Sequence, residues 1–216
     1  MIEVSHVTKI YGGIEALHDV SLHVQRGDFV SIVGPSGSGK STFLNLLAGL
    51  LTPTGGEVVV DGISLYKLSP KERTALRRDK FGFIFQTFNL IPYLTAIENV
   101  EIPLYLAGVP QTKQRAIATE LLDKVGLKDR VSHLPSELSI GEQQRVAVAR
   151  ALTNNASVIL ADEPTGNLDT KSGGELMGYV KKLNGDGVTV LLVTHDPAIA
   201  GFAQRKIKIV DGRLMQ

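Results

Sequence analysis

Gly34-Pro35-Ser36-Gly37-Ser38-Gly39-Lys40-Ser41-Thr42 matches the pattern G-x-x-x-x-G-K-[ST] at every fixed position. Residues of these types at this spacing hold phosphate. Glycines let the backbone curl until its N–H groups converge on phosphate oxygens, and the N-terminus of a following helix adds positive potential. Lys40 is placed to reach the β- and γ-phosphates of a nucleotide, and the Ser41 hydroxyl is a ligand for Mg²⁺. A chance match in a chain of this length is on the order of one in a hundred. The context narrows that further: the apolar run Phe29 to Val33 precedes the loop and an apolar helical stretch begins at Phe43, as a strand-loop-helix phosphate site requires.

A second cluster follows Val158-Ile159-Leu160-Ala161, where Asp162-Glu163 puts two carboxylates at the C-terminal end of a buried strand. Asp162 suits Mg²⁺, directly or through water. Glu163 would face the γ-phosphate and orient or deprotonate an attacking water. His195 follows the strand-like run Val188 to Thr194 and reaches the same sheet edge, where a polarising contact to the γ-phosphate is the chemical reading. Each feature alone has a plainer explanation, a polar turn or a structural histidine; an intact phosphate loop beside them favours chemistry. Leu138-Ser139-Ile140-Gly141-Glu142-Gln143-Gln144-Arg145 heads a helix predicted to run to about Asn154. Ser139 is a good N-cap, and Glu142 stands at the capping-box position.

That last segment also resembles the signature sequence of ABC ATPases. The resemblance implies that Ser139, Gly141 and their helix N-terminus cap the γ-phosphate bound by an opposite subunit. One chain would then supply half of each of two ATP sites, which calls for a head-to-tail homodimer with two-fold symmetry. By the same resemblance Tyr11 stacks on adenine, although a lone surface tyrosine also fits a rim contact. Gln86, in Phe85-Gln86-Thr87, is similar to the Q-loop, which senses Mg²⁺ and the γ-phosphate and hinges a helical lobe. Asn167-Leu168-Asp169 is similar to the D-loop that reaches across the dimer interface. The implied catalytic groups are Glu163, His195, Lys40 and Gln86, the metal ligands Ser41, Gln86 and Asp162, and the cofactors ATP and Mg²⁺. Two positions depart from the family pattern: Ile140 stands where Gly is usual, and Glu142 where Gln is usual. A β-branched Ile would be strained if the position needed positive φ, and would otherwise alter only how closely ATP approaches.

Phe85-Gln86-Thr87-Phe88-Asn89-Leu90-Ile91-Pro92, Thr95-Ala96-Ile97-Glu98-Asn99-Val100 and Asp162-Glu163-Pro164-Thr165-Gly166-Asn167-Leu168-Asp169 resemble the lipoprotein-release and macrolide-export branch. This implies a subunit that hydrolyses ATP to drive export or extracytoplasmic release through separate integral membrane permease subunits. The region after Gln86 would dock a permease's coupling helix. A regulatory ATPase of the division type, coupling ATP state to a membrane partner without transport, is the alternative. DNA-repair and chromosome-organising relatives need a long insertion between phosphate loop and signature, and the stretch from Lys40 to Ser139 shows neither sustained heptads nor Cys.

The elements that must position these residues form an α/β fold: a P-loop NTPase core with a mostly parallel sheet, an N-terminal antiparallel β layer and an inserted helical lobe. Phe29 to Val33, Val158 to Ala161 and Val188 to Val193 are nearly continuous apolar runs, as strands buried on both faces should be. Ile2-Glu3-Val4, Val20 to Val24 and Glu57 to Val60 read as the antiparallel layer. Leu176, Tyr179, Val180 and Leu183 fall on one helical face, with Gly185 as the stop. Thr87 to Asn155 shows only helical patterns, broken at Pro92, Pro103, Pro110 and Pro135. The expected division is one domain over 1–216, with 1–86 and 156–216 as the core and 87–155 as the helical subdomain.

Composition sets the outer limits. Hydrophobic content is 43%, charged content 21%, net charge +1 and Cys 0. Nothing in that balance calls for nucleic acid as a partner or for a disulfide. The longest apolar run, Phe43 to Leu51, is too short to span a bilayer, and the start carries no secretory leader. The expected place is the cytoplasmic face of the cell membrane, held peripherally by membrane subunits. The basic stretch Lys67 to Lys80 reads as a solvated helix face.

Overall fold

In the computed structural model, which describes residues 1–215, the phosphate-loop strand β3 (Phe29–Val33) lies inside a six-stranded sheet. Its neighbours are β8 (Thr189–Val193) on one side and β9 (Arg205–Val210) on the other, both parallel to it. Beyond β8 come β7 (Val158–Asp162) and the edge strand β6 (Phe81–Phe85), again parallel. The short β10 (Arg213–Met215) closes the other edge antiparallel to β9.

The continuous apolar runs are explained by two cores, one on each face. Along β8, Val190 and Leu192 point into one core while Leu191 and Val193 point into the other. The first core is roofed by helices and the second by a four-stranded antiparallel sheet. That sheet holds β1 (Ile2–Tyr11), β2 (Ile14–Val24), β4 (Gly55–Val60) and β5 (Ile63–Ser64), in the order β2-β1-β4-β5. α1 (Lys40–Leu47) is packed between the two sheets through Phe43, Leu46 and Leu47, all fully buried.

Residues 87–155 contain no strand. α3 (Ala96–Leu106), α4 (Gln111–Lys124) and α5 (Ile140–Ala151) cover β6 and β7 and bury Ile97, Val100, Leu122 and Val146. α2 (Pro70–Lys80) buries no residue, so its charges line a solvated face. α6 (Thr170–Gly185) and the short α7 (Pro197–Ala200) complete the chain.

Several expectations are corrected. Pro103 lies inside α3 instead of breaking it; packing of Ile97, Val100 and Leu104 into the core holds the helix through the lost hydrogen bond. Gly185 is the last residue of α6, and the chain turns two residues later at Gly187. α5 ends at Ala151, short of Asn154. β1 and β2 are far longer than Ile2 to Val4 and Val20 to Val24. Register shifts from Val4 to Ile10, with His6 and Asp19 at positive φ, destroy the alternation that would have revealed them. β6 and β9 were not expected as strands at all. Gly82 interrupts the aromatic run of β6 because a Cβ there would lie 2.1 Å from the Ala151 carbonyl oxygen. β9 is half exposed, with only Ile207 and Ile209 buried.

Candidate active site

The turn from β3 into α1 builds a cavity of about 560 Å³ lined by Ala16, Ser36 to Thr42, Gln86, Glu163 and His195. α1 begins at Lys40, so Lys40, Ser41 and Thr42 form its first turn and the helix N-terminus opens on the cavity. Gly39 caps it at φ 99, and a Cβ there would lie 2.4 Å from the Ala16 carbonyl oxygen; only glycine fits. Lys40 is buried, and its ammonium donates to the carbonyls of Gly34 and Pro35 at 3.0 and 2.8 Å. It therefore lies within the curl of the loop. Ser38 Oγ is buried there and makes no hydrogen bond among the described residues. Such an atom suits an anion acceptor.

Across the mouth stand the ends of β7 and β8. Ser41 Oγ donates to Asp162 Oδ1 at 3.1 Å, tying α1 to β7. Glu163 sits at φ 46, an uncommon place for a residue with a side chain. Its backbone N–H is fixed to the Val193 carbonyl at 2.9 Å, and its Oε1 meets His195 Nδ1 at 2.9 Å. Backbone strain of this kind is tolerated where the surroundings impose it, and such places are often functional. His195 is exposed while Glu163 is mostly covered, so the carboxylate is the sheltered member of the pair.

Burial lifts the Asp162 carboxyl above its ordinary range and the Glu163 charge adds to this, against Ser41 and Lys40 pulling it down. A raised carboxyl pKa means the folded chain holds that proton more tightly than the unfolded one. The resulting stability is present in acid and is lost as pH rises from the unfolded value through the folded one. At neutral pH an ionised, half-buried Asp162 is thus a cost. Asp162→Asn should raise the thermal unfolding midpoint of the nucleotide- and metal-free chain at pH 7, and give no such gain below the unfolded carboxyl pKa. A lower midpoint at pH 7 would contradict this.

Ser139, Gly141, Asp169 and Tyr11 do not line the cavity. Ser139 N-caps α5: its Oγ accepts from the Glu142 N–H at 3.3 Å and Glu142 Oε2 accepts from the Ser139 N–H at 2.8 Å. Asp169 N-caps α6 through Ser172. The two caps are neighbours, since a Cβ on Gly141 would lie 3.4 Å from Ser172 Oγ. Ile140 is the first residue of α5, is not among the residues at positive φ and is 53% exposed, so its side chain causes no backbone strain. Tyr11 ends β1, 43% exposed, with Lys9 Nζ 4.8 Å from its ring centroid.

Sequence reasoning gave no role to Gln144 or Arg150. Gln144, fully buried on α5, donates to the carbonyls of Phe85 and Pro164 at 3.2 and 2.7 Å, joining the Gln86 and Glu163 loops. Its one sequence signal is a polar residue on the stripe of Val148 and Ala151.

Comparison with known proteins identifies the family. The family model described as ABC transporter matches residues 17–166. An uncharacterized ABC transporter ATP-binding protein of Methanocaldococcus jannaschii, MJ1508, is 50% identical over 220 residues, covering 100% of this chain and 98% of that protein. The macrolide export ATP-binding/permease protein MacB of Hyphomonas neptunium is 49% identical over 219 residues; the chain spans 34% of its length. The solved dimeric structure of the ATP-binding cassette MJ0796, in a post-hydrolysis state bound to ADP and Pi, superposes with TM-score 0.92 at 48% identity, covering 100% of this chain and 97% of that one. Phosphate loop, acidic strand end, capped α5 and family match together make this chain a member of the ABC transporter family, one of its ATP-hydrolysing cassettes.

Proposed function

We propose that two copies of this chain close head to tail on ATP and drive export or extracytoplasmic release through separate membrane permeases. One observation carries the reading. Lys40, Ser41, Gln86, Glu163 and His195 gather at one cavity, while Ser139, Gly141 and Asp169 gather outside it around the N-termini of α5 and α6. A helix N-terminus with free N–H groups suits the γ-phosphate of a second copy. Relatives support it: MJ0796 was solved as a dimer, and MacB is named a macrolide export ATP-binding/permease protein. The relatives named above support the transport reading and lend nothing to the regulatory alternative.

The donor set at the cavity fits Mg²⁺. Ser41 Oγ and Asp162 are already joined at 3.1 Å, and Gln86 adds a neutral amide oxygen, giving hard oxygens only. Bound there, the ion supplies positive charge to the phosphates. The chain does the rest. Loop N–H groups, Lys40 and Ser38 hold the phosphates, and Tyr11 meets the adenine. Glu163 orients a water and takes its proton as the oxygen attacks the γ-phosphorus; the bond to the β,γ-bridging oxygen breaks and ADP leaves. Lys40 and His195 offset the charge that develops. Loss of the γ-phosphate removes what bridges the copies, and the pair reopens. Residues 87–155 would move as the lobe that transmits this step, hinged at Gln86.

Ile140 faces the opposite nucleotide in this arrangement. With no strain to relieve, Ile140→Gly acts by opening the approach to the N–H groups of α5. ATP turnover should rise about twofold or more, under 1 kcal/mol of barrier, while unfolding free energy falls by about 0.5 kcal/mol from lost helix propensity. Turnover lower than that of the parent chain would contradict a steric role for Ile140.

The permease has a place to sit. A groove of about 540 Å³ between α2, β6, α3 and the end of α5 is lined by Arg77, Arg78, Phe81, Pro103, Leu106 and Arg150. Tyr93 and Tyr105 stand 88% and 72% exposed in the same helical region. No helix among the described residues is long and apolar enough to cross a membrane, so the spanning part of the assembly is assigned to the permease. Affinity purification from native membranes tests the reading: a polytopic membrane polypeptide should co-purify with the parent chain and be lost with Leu106→Glu, while ATP binding persists. Recovery with no membrane polypeptide would overturn the transport reading.

A further inference from the structure

We propose that Arg150 is a positioning residue for Gln86, setting from the last turn of α5 where that side chain stands at the mouth of the phosphate cavity. Gln86 leaves the end of β6 and lines the cavity. Two residues later the backbone does something costly: Phe88 and Asn89 follow each other at φ 58 and φ 49. Consecutive side-chain-bearing residues in the left-handed region need an external hold. Arg150 supplies it as a fork, with Nη2 donating to the Phe88 carbonyl at 2.6 Å and Nη1 to the Asn89 carbonyl at 2.5 Å. Among the described residues the guanidinium faces carbonyl dipoles and pairs with no carboxylate, and partial burial pulls its pKa down. A half-buried cation held only by carbonyls is a costly way to fill space. What it adds over an apolar side chain is a fixed direction for two carbonyls.

The segment before those carbonyls is fixed as well. Gln144 of α5 binds the Phe85 carbonyl at 3.2 Å, and Asn167 Nδ2 donates to the Gln86 carbonyl at 2.9 Å. Gln86 is also pressed against Gly166, where a Cβ would lie 2.6 Å from its Nε2. Arg150 is therefore the downstream anchor of a loop already held upstream. Without it the left-handed pair can relax and Gln86 loses its place. α5 begins at Ile140, beside Ser139 and Gly141, so one rigid helix offers its first turn to the opposite nucleotide and grips the loop of its own nucleotide with its last. This inference rests on the proposed role of Gln86 toward Mg²⁺ and γ-phosphate.

The test is a double-mutant cycle on ATP hydrolysis, with kcat and KM for ATP measured for Gln86→Ala, Arg150→Gln and both together. Each single variant should lower kcat about tenfold and leave KM within about twofold, because the phosphate loop is untouched. The double variant should be no slower than Gln86→Ala alone, since removing the anchor of an absent side chain costs nothing more. Arg150→Lys, which keeps the charge but cannot bridge both carbonyls, should fall between parent and Arg150→Gln; it replaces Arg150→Gln in the cycle if that variant does not fold. If Gln86→Ala turns over like the parent, the role of Gln86 itself is wrong. If Gln86→Ala is slow but Arg150→Gln is not, or if the two losses multiply, the positioning role of Arg150 is overturned.

Discussion

Glu163→Gln should bind ATP as the parent chain does, lose turnover by about 10²- to 10⁴-fold, and accumulate as an ATP-bound dimer. Only the proton-accepting oxygen is removed. The side chain keeps its length, and the backbone N–H that fixes it to the Val193 carbonyl is unchanged. Among the described residues the Glu163 side chain makes no hydrogen bond to the phosphate loop; its partner is His195. Affinity should therefore survive while the step that reopens the pair is blocked. Equilibrium nucleotide binding, steady-state hydrolysis and sedimentation with ATP check the three parts separately. Hydrolysis at the parental rate would remove Glu163 from the site's chemistry.

Lys40→Met fails earlier, at binding. The buried ammonium sits inside the loop, held by the Gly34 and Pro35 carbonyls. A phosphate oxygen meeting that charge gains a hydrogen bond worth about 1.5–3 kcal/mol, so its loss should weaken ATP binding about 10- to 150-fold. Met fills much of the same volume, which leaves α1 packed between the sheets through Phe43 and Leu46. Titration with a fluorescent ATP analogue reads the loss directly, and an unchanged dissociation constant would place the phosphates elsewhere. The two variants are opposites in one respect. Glu163→Gln should yield more dimer with ATP than the parent chain, and Lys40→Met should yield none.

The phosphate loop was fully legible in the sequence because its chemistry depends on residue types at fixed local spacing. β3, β7 and β8 were legible for a different reason: burial on both faces leaves no polar residue to interrupt the run. β1 and β2 were visible only at their ends, where the register is regular; the shifts between Val4 and Ile10 hide the rest. The aromatic alternation of Phe81, Phe83 and Phe85 marks β6, and β9 and β10 flank an Asp211-Gly212 hairpin turn. The helix through Pro103 could not be foreseen, because tertiary packing overrides the local preference of proline. Gln144 and Arg150 were illegible for a deeper reason. Their partners are backbone carbonyls of Phe85, Phe88, Asn89 and Pro164, remote along the chain and nameless in a sequence.

Specific ATPase activity measured across a wide range of protein concentrations asks whether one polypeptide can complete the γ-phosphate pocket. Rate per chain is expected to fall on dilution, in step with the loss of dimer followed by sedimentation, because Ser139 and Gly141 lie outside the cavity of their own chain. A rate per chain that stays constant down to a fully monomeric solution would contradict the shared site.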